Sequence, residues 1–174
     1  MRRLKRNFRY RVISSKHVTY HKEIKIDFLY LDNIVCSRCK STEYVLDQAL
    51  TSIIDLLTSM GYHVSVNKVH VQSANTATEY RFLSSPTIRI NGLDIMARLE
   101  ESNCQDCGVL CGTNVNCRDW IYKGTRYTYP PVPLIFEAIM NSIHTNPQKQ
   151  ISGHDYQMPE NLVRYFQGIK NTIK

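Results

Sequence analysis

The pair Cys36-Ser37-Arg38-Cys39 sits where one apolar pattern gives way to another, and that junction constrains the fold more than any other feature of the chain. Before it, Ile24-Lys25-Ile26-Asp27-Phe28-Leu29-Tyr30-Leu31 is apolar on both faces, the pattern of a central strand covered from each side. After it, residues 40–60 place apolar side chains at Leu46, Ala49, Leu50, Ile53, Ile54, Leu57 and Met60, the three-four spacing of an amphipathic helix. Gly61 follows where a helix C-terminal glycine belongs. At a helix start the orphan N–H groups and the dipole favour a thiolate. Cys36 is therefore read as the nucleophile and Cys39, one turn on, as the resolving thiol, with Arg38 and Lys40 adding charge that favours the thiolate.

Further along, residues 63–71 read as a second strand whose apolar phase changes between Val66 and Val69. That change calls for burial of both faces or for a bulge near Asn67. A short helix is expected over residues 74–82. Asn91-Gly92 between alternating apolar residues marks a hairpin, because both central positions need positive φ. Pro86 stands at the start of the first strand of that hairpin, where its missing N–H is tolerated. Residues 120–129 form a second hairpin turning at Lys123-Gly124, and the prolines at 130, 131 and 133 lead into a helix carrying Leu134, Ile135, Ala138, Ile139 and Ile143. The tail holds a short amphipathic helix at 162–169. In order this is strand, helix, strand, helix, hairpin, helix. The fold class is α/β, with a mixed sheet whose first two strands are parallel and with helices on both faces.

The second cysteine group, Cys104-x2-Cys107-x3-Cys111-x5-Cys117, contains Gly108 and Gly112 for backbone freedom. Four thiols at this density suit one tetrahedral structural Zn(II) or two local disulfides. An iron–sulfur cluster and free thiols complete the alternatives, although the spacing matches neither common ferredoxin pattern nor a zinc ribbon. Asp106, Asp119 and Glu101 are read as solvated loop acids. The six histidines are scattered and give no His/Cys or His/Glu spacing of a hydrolase. Trp120 and the tyrosines around it are read as packing for the cysteine-rich stretch.

Net charge is +7, yet residues 1–25 hold nine Lys/Arg and one acid, and the remainder is close to neutral. Nucleic acid is thus an expected partner only through a basic N-terminal arm, which suits RNA, an acidic partner or a membrane surface, or stays solvated. No apolar run approaches the roughly 20 residues of a membrane span. No signal-like apolar stretch follows the basic start, and the expected address is the cytoplasm, where thiols stay reduced. The expected organisation is a basic extension at 1–22, one domain at 23–146 with an insertion at 99–130, and a tail at 147–174.

A dithiol at the first strand-to-helix junction, with a proline opening the hairpin strand, resembles the thioredoxin-like fold. The resemblance implies that Pro86 is cis, and that its loop, with Ser85 and Thr87, packs beside Cys36 and Cys39 as a wall of the substrate groove. The segments LYLDNIVCSRCKSTE, VNKVHV, SSPTIRING and ESNCQDCGVLCGTNVNCRDWIY, then PPVPLIFEAI, are similar to a prokaryotic family of small thioredoxin-like proteins known as a domain of unknown function. The chain departs from redox thioredoxins in having Val35 before the first cysteine. Nothing identifies a buried carboxylate as proton acceptor, and Asp27 and Asp32 are the nearest acids. Three functions follow as expectations. The first is thiol–disulfide exchange with protein or low-molecular-weight thiols and disulfides, needing no cofactor. The second is binding of a soft metal or metalloid (Zn, Cu, Hg or As). The third is partner docking through the basic arm, without thiol chemistry.

Overall fold

In the computed structural model, which describes residues 22–144 and 155–172, strand β1 (Lys22–Tyr30) lies inside the main sheet. Its apolar residues divide as the sequence pattern requires: Ile24, Ile26 and Phe28 enter one core, while Leu29 and the following Leu31 enter a second. β1 runs parallel to β2 (Tyr62–His70) and antiparallel to β3 (Thr87–Ile90), which pairs with the short β4 (Leu93–Asp94). The mixed sheet has the order β2-β1-β3-β4. The basic extension, apart from Lys22, lies outside the described residues.

The crossover from β1 to β2 is helix α1 (Ser37–Ser59), which buries Val45, Leu46, Ala49, Leu50, Ile53 and Leu57 against the first face of the sheet. Each such side chain contributes about 1.5–3 kcal/mol on burial. Gly61, at φ 82°, turns the chain out of α1 into β2. The pairing of β2 with β1 is unbroken from Lys22↔Tyr62 to Tyr30↔His70, so no bulge lies at Asn67. The change of apolar phase has another cause: among the described residues β2 is at the edge of the sheet, and along it only Tyr62 and Val69 are buried. Helix α2 (Ala74–Glu79) is capped by Ser73, whose Oγ accepts the Thr76 N–H at 3.1 Å. It ends before Phe82, which is buried in the turn that follows.

Both hairpin turns fall where the sequence puts them. Asn91 and Gly92 have φ of 52° and 82°, and Lys123 and Gly124 have 49° and 80°. Asn91 also fixes the first hairpin to β1, since its Oδ1 accepts the Lys25 N–H at 2.9 Å and its own N–H donates to Lys25 O at 2.7 Å. The cysteine-rich segment builds a second sheet, β5 (Glu100–Asn103), β6 (Asn116–Tyr122) and β7 (Thr125–Tyr127), all antiparallel, with helix α3 (Gln105–Cys111) between its first two strands. The periodicity of the sequence did not suggest β5 or α3. Trp120, fully buried, joins this unit to Ile135 and Ile139 of α4 (Val132–His144) in the first core. The second core gathers all six cysteines with Leu29, Leu31, Val71, Phe82 and, from α5 (Glu160–Thr172), Leu162, Tyr165 and Phe166. Among the described residues no helix is long and apolar enough to cross a membrane.

Gly92 has open space where a Cβ would stand, so a substitution there meets only backbone strain. Gly92→Ala is expected to cost about 1 kcal/mol. The check is urea denaturation, in which the midpoint falls and the slope stays unchanged.

Candidate functional site

The loop between β1 and α1 is shaped by Asp32. Its Oδ1 accepts the N–H groups of Ile34 (2.9 Å), Val35 (2.5 Å) and Cys36 (3.4 Å), turning the chain into the helix. Asp32 is therefore the former of this turn. Asp27 lies on the sheet surface, where its carboxylate accepts from Asn67 at 3.0 Å. Cys36 is the N-cap residue of α1, yet its side chain makes no cap hydrogen bond. The cap comes from the insertion: Asp106 Oδ2 accepts the Ser37 N–H at 2.7 Å and the Ser37 hydroxyl at 2.6 Å. A carboxylate at a helix start is favourable, and this one also fastens α3 to α1.

That fastening brings four sulfurs together. The Sγ atoms of Cys36, Cys104, Cys107 and Cys117 all lie within 4.8 Å of one another. Cys36 and Cys104 are 3.8 Å apart, and Cys107 and Cys117 are 3.5 Å apart. A regular tetrahedron of Zn–S bonds of about 2.3 Å has edges of about 3.8 Å. The sulfurs are too far apart for disulfides, whose bond is about 2.05 Å, and all six cysteines are free thiols. Cys104 is the N-cap residue of α3, and its side chain makes no cap hydrogen bond. The four residues are 0–3% exposed.

Their electrostatics follow from this crowding. Hydrogen bonds from Cys104, Cys107, Cys117 and Cys39, in that order of weight, hold the Cys36 thiol far below the usual range. Those from Cys107 and Cys117 lower Cys104 as well. Cys107 and Cys117 are pushed up, each first by the hydrogen bond it gives to Cys104. The pocket thus favours negative charge on some of its sulfurs and protons on the others. A buried set of this kind fits a soft divalent cation, which answers the charge of all four at once.

The cysteines are grouped differently from their order along the chain. Cys36 joins Cys104, Cys107 and Cys117, and Cys111 stands apart, its Sγ 3.6 Å from Thr113 O and 3.9 Å from Gly108 O. Cys39 is also outside the four, 3.2 Å from Ser85 Oγ, and fully buried. Its thiol is raised well above the ordinary value, first by the hydrogen bond it gives to Cys36 and then by burial. The Ser85–Pro86 bond is cis. Ser85, Pro86 and Thr87 are all buried where the loop leads into β3. Ser85 Oγ accepts the Leu31 N–H at 3.0 Å, and Thr87 Oγ1 donates to Ser84 O at 2.7 Å.

Lys40 is exposed, and Arg38 does something that charge alone did not suggest. Its guanidinium donates to Asp119 Oδ1 (2.8 Å), Ser102 Oγ (2.9 Å), Asn103 O (3.1 Å), Cys117 O (3.2 Å) and Arg118 O (3.3 Å). One side chain of α1 thereby holds β6, which carries Cys117, and β5, which leads into Cys104. Asp119 is 1% exposed and lies between Arg38 and Arg126, at 2.8 and 2.7 Å. It is a buried ion-pair partner, and the expectation of a solvated loop acid is corrected. Glu101 likewise accepts from Ser84 at 2.5 Å and from Asn161 at 3.4 Å. Arg118, also buried, forks onto Asp94 at 2.9 and 2.8 Å while its N–H donates to Ser85 O at 2.7 Å, tying β6 to the Pro86 loop. The only sequence signal for these clamps was the arginine between Cys36 and Cys39.

Residues 24–139 match the profile of a family described as "Domain of unknown function (DUF2703)". No curated protein and no solved structure matches the chain.

Arg38→Ala leaves Asp119 with one cation and removes the guanidinium from three backbone carbonyls. It is expected to destabilise the metal-free protein by about 2–4 kcal/mol. Arg38→Lys keeps the charge and loses the fork, so it recovers less than half of that loss in the same urea titration.

Proposed function

We propose, for a chain that belongs to the DUF2703 family, that it is a soft-metal-binding protein built on a thioredoxin-like scaffold, with Cys36, Cys104, Cys107 and Cys117 as ligands. The observation that carries this reading is the buried group of four sulfurs within 4.8 Å of one another. The sheet order β2-β1-β3-β4, the crossover helix and a cis Pro86 beside the dithiol support the scaffold. Four sulfurs at tetrahedral spacing favour Zn(II) over Cu(I), Hg(II) or As(III), which are satisfied by two or three. Zn(II) bound there would supply a cross-link between the insertion and α1, with no redox chemistry of its own. The chain's part is to hold four deprotonated sulfurs in a dry pocket, with Cys104 and Cys107 forming a knuckle at the start of α3. In a reducing compartment such as the cytoplasm these thiols stay available for metal.

A second reading is thiol–disulfide exchange, with Cys36 attacking and Cys39 resolving. What favours it is the position of Cys36 at the start of α1, with the protonated Cys39 hydrogen-bonded to it and to Ser85. In that case Cys39 is indispensable and the insertion cysteines are not.

Metal analysis with thiol counting separates the two. The metal reading predicts one zinc per chain, and zinc-protected thiols at Cys36, Cys104, Cys107 and Cys117. Cys36→Ser should weaken zinc binding by about 100-fold or more, whereas Cys111→Ser and Cys39→Ser should leave stoichiometry unchanged. Affinity should fall on acidification, because protons compete for the thiolates. A protein that holds no zinc but reduces insulin with dithiothreitol, and loses that activity in Cys39→Ser, would establish the second reading.

A further inference from the structure

The thiol centre is closed on one side by a helix that the rest of the domain does not need for its strand pairing. Helix α5 packs chiefly on α3 and α2. Its buried face is Leu162, Tyr165 and Phe166, which complete the second core around the cysteines. It also lies beyond the family-matched residues 24–139, which contain all six thiols. The four sulfurs themselves come from the start of α1, from α3 with its N-cap Cys104, and from β6.

Besides this apolar face, α5 is docked by local contacts, among them the hydrogen bond from Asn161 to Glu101 at 3.4 Å. Asn161 acts as a substitute strand for Asn116: its Oδ1 accepts the Asn116 N–H and its Nδ2 donates to Asn116 O, both at 2.8 Å, directly beside Cys117. Tyr156, just before the helix, donates its hydroxyl to Phe82 O at 2.6 Å. Gly168 lets the helix lie against the backbone of Cys111. A Cβ at 168 would overlap the Cys111 carbonyl oxygen and come within 2.9 Å of the Cys111 Cβ. A helix held on one face by a few contacts opens at a smaller free energy than the sheet beneath it.

We propose that α5 is a detachable cover, and that its undocking is the step through which metal ions and thiol reagents reach Cys36, Cys104, Cys107 and Cys117. For metal exchange this rests on the metal-binding reading above; for thiol access it stands without it. The Gly168 contact and the Asn161 pair set how often the cover opens. Neither residue is a ligand, so they govern the rate of exchange and leave the number of metal sites alone.

The experiment alkylates the metal-free full chain with iodoacetamide, follows each cysteine by mass spectrometry, and measures amide hydrogen exchange in parallel. In the unsubstituted protein, labelling of the four cysteines should track the opening of α5 amides and run ahead of the β1 amides. Gly168→Ala and Asn161→Ala should each speed it on the order of tenfold while β1 stays protected. Gln167→Ala, on the exposed face, should not change it. Transfer of zinc from the loaded chain to a chelator should accelerate by the same factor at unchanged stoichiometry. Labelling that tracks the β1 amides would overturn the proposal, as would unchanged rates in variants whose α5 amides have lost protection. A chain that holds no zinc would sink the metal reading, and the labelling result would still decide the cover.

Discussion

Four sulfurs drawn from three stretches of chain lie within 4.8 Å of one another in a pocket closed to water, and their charge must be answered. Two unit charges about 4 Å apart repel by about 4 kcal/mol at an effective dielectric constant of about 20. The cations nearest in sequence do not relieve this, because Arg118 forks onto Asp94 and Arg38 gives its donors to Asp119, Ser102 and three backbone carbonyls. The pocket therefore holds either protons shared among the sulfurs or a cation at their centre. The hydrogen bonds that lower Cys36 and Cys104 while raising Cys107 and Cys117 describe the first state. The second is the state for which the spacing is suited.

The surroundings make sense as the means of holding that spacing. Asp106 caps α1 from α3 and fixes Cys36 against the knuckle. Arg38 holds β5 and β6 from α1, and Arg118 holds β6 to the Pro86 loop. The Asp106 cap is exposed, whereas the Arg38 and Arg118 clamps are half-buried or buried and so are costly to break once formed. Cys39 lies one turn along α1 from Cys36 and 3.2 Å from Ser85 Oγ, so the Cys36–Cys39 pair and the group of four sulfurs share Cys36.

Much of the fold was legible because its signals are local. The two-faced β1, the three-four pattern of α1 with Gly61 behind it, and the turns at Asn91-Gly92 and Lys123-Gly124 are each set by residues a few positions apart. The site was only half legible. Cys36 meets Cys104 across 68 positions, and no spacing rule announces a partnership at that range. Cys111 looked equivalent to its neighbours in the string of cysteines, and only the path of α3 turns it away. Asp119 and Glu101 read as loop acids because β5 is too short and too polar to show a period, yet in the paired β5 and β6 Asp119 is buried and Glu101 half-buried. The role of α5 was hidden for the same reason: its apolar stripe was visible, but not what it covers.

The central claim is that Cys36 belongs with Cys104, Cys107 and Cys117 as one ligand set. X-ray absorption at the zinc edge of the loaded protein tests it most directly. The account predicts four sulfur neighbours at about 2.3 Å and no nitrogen or oxygen, with one sulfur lost in Cys36→Ser and none in Cys111→Ser. A mixed shell of sulfur with nitrogen or oxygen, or a sulfur lost on replacing Cys111 and kept on replacing Cys36, would contradict it.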